Sequence, residues 1–306
     1  KKIILPLSKP IVIYTILTAF MGPWGDYVFA QYISKALPEE ADGKFIALQL
    51  DTCPDWFSVF WGIIASGHQA ILLDYSLNDE MTAYMLQQAG AVAVIGKAVR
   101  ALPAQYAQIT LDEMMAAPQV TEYPHAFGTM VALCTSGTTS TSRIFVYNET
   151  AICNQVLNSE LLYRSNKRII NDKPNRNLAF LPFHHIFGFM VCMQWIHFIG
   201  YENIYLKDRS PKTIQETSRR FHVTHLLAVP LLANNLSVAL NKKVAKEKRF
   251  KRAAFKSMKG TSIALQTVNS RLGLSLARKV MFKNVVSQIL GPDIKCIILG
   301  GSHTPT

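Results

Sequence analysis

The stretch that decides the fold of this 306-residue chain reads Leu133-Cys134-Thr135-Ser136-Gly137-Thr138-Thr139-Ser140-Thr141-Ser142-Arg143. The eight residues from Thr135 to Ser142 are seven hydroxyl side chains and one glycine, and the cation Arg143 follows them. Apolar runs over 130–134 and 144–147 flank this segment, which predicts a loop between two β-strands. Backbone N–H groups and short hydroxyls donate to phosphate oxygens, and a guanidinium offsets their charge, so such a loop suits a polyphosphate. An ordinary polar hairpin has the same composition, because Ser, Thr and Gly are frequent in turns.

The order of these residues resembles the signature loop of the adenylate-forming superfamily, which includes acyl-CoA synthetases, luciferases and peptide-synthetase adenylation domains. The family pattern is approximately (S/T)SGTTGxPKG, and residues 135–139 match it in full. The chain has Ser140 in place of Gly, Ser142 in place of Pro, Arg143 in place of Lys and Ile144 in place of Gly. Arg keeps the charge of Lys with a different geometry. These departures bear on catalysis more than on nucleotide binding.

The resemblance implies roles for the loop and a set of ligands. The residues that would contact the outer phosphates of ATP are Thr135, Ser136, Gly137, Thr138, Thr139 and Ser140. Arg143 would neutralise these phosphates, and Thr139 and Arg143 are the catalytic candidates. The implied cofactors are ATP, Mg²⁺ bridging its phosphates, and coenzyme A, without a metal site built from protein side chains. The implied substrate is a carboxylic acid, with fatty acids as one class.

A second informative stretch reads Leu178-Ala179-Phe180-Leu181-Pro182-Phe183-His184-His185-Ile186-Phe187-Gly188-Phe189. It predicts a buried strand ending at Pro182, after which paired histidines open an apolar helix. Taken alone, both histidines could be structural, and a metal site has little support because Cys192 is the only thiol nearby. The string also resembles the family motif L-P-x-x-H-x-x-G. That resemblance implies that His185 and Gly188 border the acyl pocket, while His184 replaces an aromatic residue.

The last apolar strand, 295–299, runs into Gly300-Gly301-Ser302. Glycines at a strand end permit close approach of the backbone to a ligand, although a simple turn is the plainer interpretation. The segment resembles the family's GGAPL turn, which implies that Gly300, Gly301 and Ser302 help to form the adenine and acyl pocket. The family's later motifs do not occur in the sequence. We therefore expect a truncated large domain with at most weak nucleotide binding and no thioester product.

Strand and helix patterns alternate from residue 43 onward and predict an α/β fold. Strands are expected at 45–50, 70–73 and 92–95, with a helix from Pro54 and another over 78–88. Such alternation favours layered parallel sheets flanked by helices, here an incomplete large domain of the adenylate-forming fold. Residues 98–127 contain three prolines and are predicted to be an irregular connector. Further strands at 202–206 and 224–230, with a helix at 211–221, continue the pattern.

Residues 1–34 differ from the rest and define our expected domain boundary, with 35–306 as the enzyme-like part. The apolar run at 11–22 is shorter than the roughly 20 residues that span a bilayer. Segments 2–10 and 20–27 resemble the coupling loop and following membrane segment of maltose-type sugar ABC-transporter permeases. An ordinary amphipathic leader is the alternative. A membrane-transport component is accordingly one alternative class of function.

The net charge of +12 lies in one segment, since 242–283 contains thirteen Lys or Arg and a single acid. We predict two surface helices around Gly260. An insertion of this kind at this place resembles long-chain fatty-acyl-CoA synthetases, which favours a fatty acyl substrate. The charge could form a solvated helical face, a surface for an anionic membrane or CoA phosphates, or a nucleic-acid site. Nucleic acid is not expected, because no zinc, RNA-binding or helix-turn-helix signature accompanies the charge. Five scattered cysteines without a CxxC predict reduced thiols in a cytoplasmic protein.

Overall fold

The computed structural model describes residues 27–37, 41–116, 126–135, 143–165, 175–232, 249–268 and 290–301, with positions 234, 235, 238, 245 and 287. Its contacts divide the chain into two compact units. The first comprises Lys1–Ser159 and Pro182–Phe198, and the second comprises Glu160–Leu181 and Ile199–Thr306.

The first unit contains a six-stranded sheet with the strand order β4-β3-β1-β2-β5-β6. Its strands are β1 (Phe45–Gln49), β2 (Gln69–Leu72), β3 (Ala91–Gly96), β4 (Ala107–Thr110), β5 (Met130–Cys134) and β6 (Ile144–Asn148). The helices are α1 (Tyr27–Ala36), α2 (Pro54–Ala65), α3 (Asp79–Ala89), α4 (Leu111–Ala116) and α5 (Glu149–Ser165), of which the residues up to Ser159 belong to this unit. A further helix, α6, is π-wound over Gly188–Trp195 and α-helical over Ile196–Phe198.

Five of these six strands are parallel, and only β6 runs antiparallel to its neighbour β5. Strands β1 and β2 are buried along nearly their whole length, as expected for a parallel sheet covered on both faces. The parallel register pairs Leu72 of β2 with Leu133 of β5. The carboxyl ends of these two strands therefore lie side by side, and the residues after them meet at one edge of the sheet.

The second unit contains a four-stranded parallel sheet with the order β10-β9-β7-β8. The strands are β7 (Arg176–Ala179), β8 (Glu202–Tyr205), β9 (His225–Ala228) and β10 (Cys296–Leu299). The helices are α7 (Pro211–Arg220) and α8 (Arg249–Val268). The two parallel sheets and their helices confirm the predicted fold class.

Local signals explain where several of these elements begin and end. Helix α2 begins at Pro54, which needs no backbone donor in the first turn. The side chain of Asn78 accepts a hydrogen bond from the Met81 amide and caps α3, which ends at Gly90 in the left-handed conformation. Ser210 caps α7 in the same way by accepting from the Thr213 amide.

The prediction of an irregular connector over 98–127 was wrong. Strand β4 pairs in parallel with β3 inside that segment, and α4 follows it directly. The amide and hydroxyl of Thr110 each donate to the Glu113 carboxylate at 2.7 Å, and the Glu113 amide faces the Thr110 hydroxyl at 3.3 Å. This reciprocal arrangement is a capping box, which stabilises the start of the helix. The prediction rested on the three prolines, whereas the T-x-x-E pattern of Thr110 and Glu113 marks the start of the helix.

The prediction of two helices separated at Gly260 was also wrong, because α8 runs without a break from Arg249 to Val268. A glycine inside a helix costs only about 1 kcal/mol relative to alanine, so its presence does not by itself end a helix. The part of the predicted basic segment from 269 to 283 lies outside the described residues.

Helix α1 crosses the expected domain boundary at residue 34. Phe29, Ala30 and Ile33 are buried, and α1 packs against α2. Residues 1–26 lie outside the description, and the resemblance of 1–34 to a transporter permease stays a prediction. Among the described residues, no helix has the length and apolar character needed to cross a membrane.

The contact between α1 and α2 depends on Gly62. A Cβ atom at that position would lie 2.7 Å from the Cβ of Phe29, closer than two such atoms can approach. We expect Gly62→Ala to lower the free energy of unfolding by about 1–3 kcal/mol, as overpacking in a core does. Chemical denaturation followed by circular dichroism measures this change.

Gly260→Ala is the matched control, because it lies inside α8 and an added Cβ would have no neighbour within 4 Å. It should stabilise the chain by up to about 1 kcal/mol. Equal stability of Gly62→Ala and the unmodified chain would show that α1 does not pack on α2 as described.

Candidate functional site

A small pocket lies at the carboxyl edge of the first sheet, entirely within the first unit. Its volume is about 90 Å³. Residues following β2, residues of α3, the end of β5 and the paired histidines line it: Leu72, Asp74, Leu77, Met81, Met85, Cys134, Thr135, His184 and His185. Two of the predicted site residues, Thr135 and His185, therefore line one pocket.

The hairpin that carries the hydroxyl-rich loop is closed at its base by Thr135 and Arg143. The Thr135 amide donates to the Arg143 carbonyl at 2.9 Å, one step beyond the last β5–β6 pair, Cys134 and Ile144. The Arg143 amide also faces the Thr135 hydroxyl at 3.4 Å. Both residues are exposed. The predicted phosphate contacts between them, Ser136, Gly137, Thr138, Thr139 and Ser140, lie outside the described residues.

The paired histidines are held by the aromatic core of the first unit. Phe183 is fully buried and meets Trp56 edge-on, with ring centroids 5.3 Å apart. His184 follows it and is 6% exposed, whereas His185 is half-buried. The two imidazole rings lie 4.2 Å apart between centroids. The core thus fixes the backbone from which both rings enter the pocket.

Asp74 adds a negative charge to the same pocket. Its Oδ2 lies 3.5 Å from Nε2 of His184, and its Oδ1 accepts from the amide and hydroxyl of Ser76 at 2.9 and 2.8 Å. Burial raises the pKa of Asp74, but the Ser76 hydrogen bonds and the charges of His184 and His185 outweigh it and lower the pKa overall. The group is therefore ionised at neutral pH. Our sequence interpretation missed Asp74, although an Asp-x-Ser turn directly after an apolar strand was a usable signal.

Cys134 also lines the pocket, but its thiol is not nucleophilic at neutral pH. Burial raises its pKa to about 12, so it stays protonated at neutral pH. All five cysteines are free thiols, and Cys192 alone among them is buried.

Gly188, predicted to border an acyl pocket, is not among the residues that line the pocket of the first unit. A Cβ at this position would collide with the carbonyl oxygen of Pro182. The amides of His185 and Phe189 donate to the carbonyls of Pro182 and His185, respectively, so the chain turns tightly here. The structure thus gives Gly188 a packing role beneath the histidines.

The predicted adenine-side residues belong to the second unit. The Gly300 amide donates to the Ala228 carbonyl at 3.1 Å and extends the pairing of β10 with β9. Gly301 has a φ of 81°, a conformation that favours glycine. Ser302 lies outside the described residues.

The second unit also has a cleft of about 550 Å³ at the amino ends of its strands. Arg176, His222 and Lys295 contribute to its lining, and His222 Nδ1 lies 3.0 Å from the Asp293 carboxylate. The sequence interpretation had not singled these residues out. Ligands of parallel α/β sheets bind outside the carboxyl ends of the strands, so the pocket of the first unit is the stronger candidate.

Within the described ranges, no group of three or more His, Cys, Asp or Glu side chains could hold a metal ion. Mg²⁺ typically binds through one or two carboxylates and substrate phosphates rather than in an all-protein cage.

The parallel sheets flanked by helices match the large domain of adenylate-forming enzymes. A model of the family described as AMP-binding enzyme matches residues 30–302. The chain belongs to this family. No curated protein matches it significantly.

Solved structures of adenylate-forming proteins share the fold. O-succinylbenzoate coenzyme A synthetase (MenE) from Bacillus subtilis, solved with AMP, has a TM-score of 0.60 and 17% identity over 90% of this chain and 59% of its own. The N-terminal domain of FACL13 from Mycobacterium tuberculosis has a TM-score of 0.59 and 16% identity over 92% of this chain and 62% of its own. The peptide synthetase FmoA3, bound to AMPPNP, has a TM-score of 0.56 and 17% identity over 74% of this chain and 24% of its own. The chain thus spans about three-fifths or less of these relatives.

The turn at Gly188 supplies a test of how the histidines are positioned. We expect Gly188→Ala to lower the free energy of unfolding by about 3 kcal/mol, because its methyl group meets backbone that cannot move aside. Thermal and denaturant unfolding measure the loss.

Ile186→Ala is the control, since that side chain is 46% exposed two residues away. A surface change of this kind alters stability by about 0.5 kcal/mol or less. If Gly188→Ala were as stable as Ile186→Ala, the close approach to Pro182 would be excluded.

Proposed function

We propose that this chain supplies the nucleotide- and acyl-binding part of an enzyme that activates a carboxylic acid with ATP. In the full reaction, a carboxylate oxygen attacks the α-phosphorus, pyrophosphate leaves, and an acyl-adenylate forms. A thiol such as that of coenzyme A then attacks the acyl carbon, and AMP leaves. The observation that carries the proposal is that Thr135, at the base of the hydroxyl-rich hairpin, and His185 line one pocket.

The hairpin would hold the triphosphate. Thr135 and Arg143 close its base. The hydroxyls and amides of Thr135, Ser136, Gly137, Thr138, Thr139 and Ser140 would donate to phosphate oxygens. The guanidinium of Arg143 is exposed and would pair with the charge of the same phosphates.

His185 would border the reacting carboxyl group and the first part of the acyl chain. The apolar lining behind it consists of Leu72, Leu77, Met81 and Met85. Methionine side chains are flexible, so this wall can adapt to acyl groups of different shape. A fatty acyl substrate stays a proposal that rests on the resemblance of the basic segment to long-chain synthetases.

Catalysis in this proposal consists of positioning and charge stabilisation. The substrate carboxylate is already ionised at neutral pH and needs no general base. Bound with ATP, Mg²⁺ would neutralise the phosphate oxygens. Gly300, Gly301 and Ser302 would border the adenine, and Gly188 would keep the histidine turn in place. Cytoplasmic localisation is part of the same proposal.

Replacing Arg143 tests the role of the hairpin. We expect Arg143→Ala to weaken ATP binding about tenfold or more, because a hydrogen bond to a charged group contributes about 1.5–3 kcal/mol. Arg143→Lys should recover part of this loss, since it keeps the charge. Isothermal titration calorimetry of the 306-residue chain with ATP and Mg²⁺ measures both variants.

Arg164→Ala is the matched control, since Arg164 is an exposed arginine paired with Glu160 one helical turn away. Its ATP affinity should equal that of the unmodified chain. The proposal for the hairpin fails if Arg143→Ala binds ATP as tightly as Arg164→Ala does.

We also propose that the basic segment contacts an anionic membrane surface. Arg249, Lys256 and Ile263 of α8 follow one another at seven-residue spacing, which places them on one helix face, and all three are exposed. A face that combines cations with an exposed apolar side chain suits the interface of an anionic bilayer.

Lys256→Glu should weaken binding to phosphatidylserine-containing vesicles about thirtyfold at low salt, because each cation near the surface contributes about 1 kcal/mol and a reversal removes about two such increments. Vesicle co-sedimentation measures this. Lys212→Glu, an exposed lysine on α7, is the control and should have a smaller effect. Equal effects of both changes, or no vesicle binding by the unmodified chain, would exclude the proposed face.

A further inference from the structure

Asp74 is held from three directions. The Leu73 amide donates to the Leu48 carbonyl of β1, which continues the sheet to the residue before Asp74. The Ser76 amide and hydroxyl both donate to Oδ1. The buried Gln49 side chain donates to the Asp74 carbonyl at 3.0 Å. The position of this carboxylate is therefore determined by the fold and not by solvent.

Gln49 connects Asp74 to helix α3. Its Nε2 also lies 3.0 Å from the hydroxyl of Thr82, which is fully buried and donates to the Asn78 carbonyl at 2.8 Å. Buried polar groups that are hydrogen-bonded in a chain keep a single arrangement. This series of hydrogen bonds runs from α3 through β1 to the turn after β2, and that turn faces the histidines.

The remaining oxygen of Asp74 faces His184. The 3.5 Å between Oδ2 and Nε2 is an ion-pair contact, longer than a strong hydrogen bond. Contacts of this kind are often long without ligand and shorten when a ligand binds. The ring of His184 in turn lies against the ring of His185, and all three residues line the pocket together with Thr135.

We propose that Asp74 is a positioning residue of the candidate site, which holds the ring of His184 and, through it, the ring of His185 against the acyl group. This inference rests on the proposed function and assigns Asp74 and His184 a role in it. A carboxylate only accepts, so it also requires that Nε2 of His184 carries a proton. The family motif has an aromatic side chain at the position of His184. In this proposal the charge of Asp74 orients the His184 ring.

The protonation of the His184 ring can be tested without a ligand. Long-range ¹H–¹⁵N NMR of the unmodified chain should show a proton on Nε2 of His184 at neutral pH. Asp74→Asn keeps the shape of the side chain but can donate as well as accept, so it should change the ¹⁵N pattern of this ring. Asp79→Asn is the control, because Asp79 forms a comparable ion pair with Arg100 at 2.7 Å and does not line the pocket.

The binding prediction uses two probes, ATP with Mg²⁺ and butyryl-sulfamoyl adenosine, a stable analogue of an acyl-adenylate. Asp74→Asn should weaken the second probe about tenfold, the equivalent of one charged contact, and leave ATP affinity within about twofold. His184→Gln should give a similar loss. The double variant should lose no more than either single variant, because both changes remove the same contact.

The outcomes separate the two proposals. A chain that binds neither probe overturns the proposed function and the role of Asp74 in it. A chain that binds both probes equally well with and without Asp74→Asn overturns the role of Asp74 alone. Additive losses in the double variant, or an unchanged His184 ¹⁵N pattern in Asp74→Asn, would also overturn it. Thermal unfolding of each variant excludes loss of the fold as the cause of a change.

Discussion

The parallel pairing of β2 with β5 is the constraint on which the candidate site depends. Because Leu72 and Leu133 are register partners, the chain leaves both strands at the same height. Asp74 follows one strand, and Thr135 follows the other. Neither residue needs a long loop to reach the pocket, so a buried and rigid sheet edge determines their separation. The antiparallel return of β6 then brings Arg143 back beside Thr135.

A second support comes from the aromatic cluster under the histidines. Trp56, Phe60, Phe183 and Phe189 pack with ring centroids between 5.2 and 6.4 Å apart in the recorded pairs. This cluster joins α2 to the segment that carries His184 and His185. The site is thus assembled from the sheet edge on one side and a hydrophobic anchor on the other, and each uses residues far apart in sequence.

The fold could be predicted wherever periodic apolar runs and strong end signals coincided, as at Pro54, Asn78 and Gly90. Strand β4 was missed because four residues are too few to show a period, and the continuous α8 was missed because one glycine was given too much weight. For the site, the sequence pointed to Thr135 and His185, which do share a pocket. The Asp-x-Ser turn marks the local shape around Asp74, but strand register brings this residue to a histidine 110 positions later, and the sequence pattern does not contain that register.

The π-helical part of α6 affects which deletions the chain can tolerate. A π-helical stretch contains more residues per turn than an α-helix, and such stretches commonly mark functional sites. Losing one residue from an α-helix rotates the parts on either side by roughly 100° relative to each other. Losing one residue between Gly188 and Trp195 would instead let the stretch wind as an ordinary α-helix, so the histidines and the aromatic anchor would keep a similar relative orientation. The π-helical stretch is therefore a place in this unit where the chain can shorten by one residue and keep its flanks aligned.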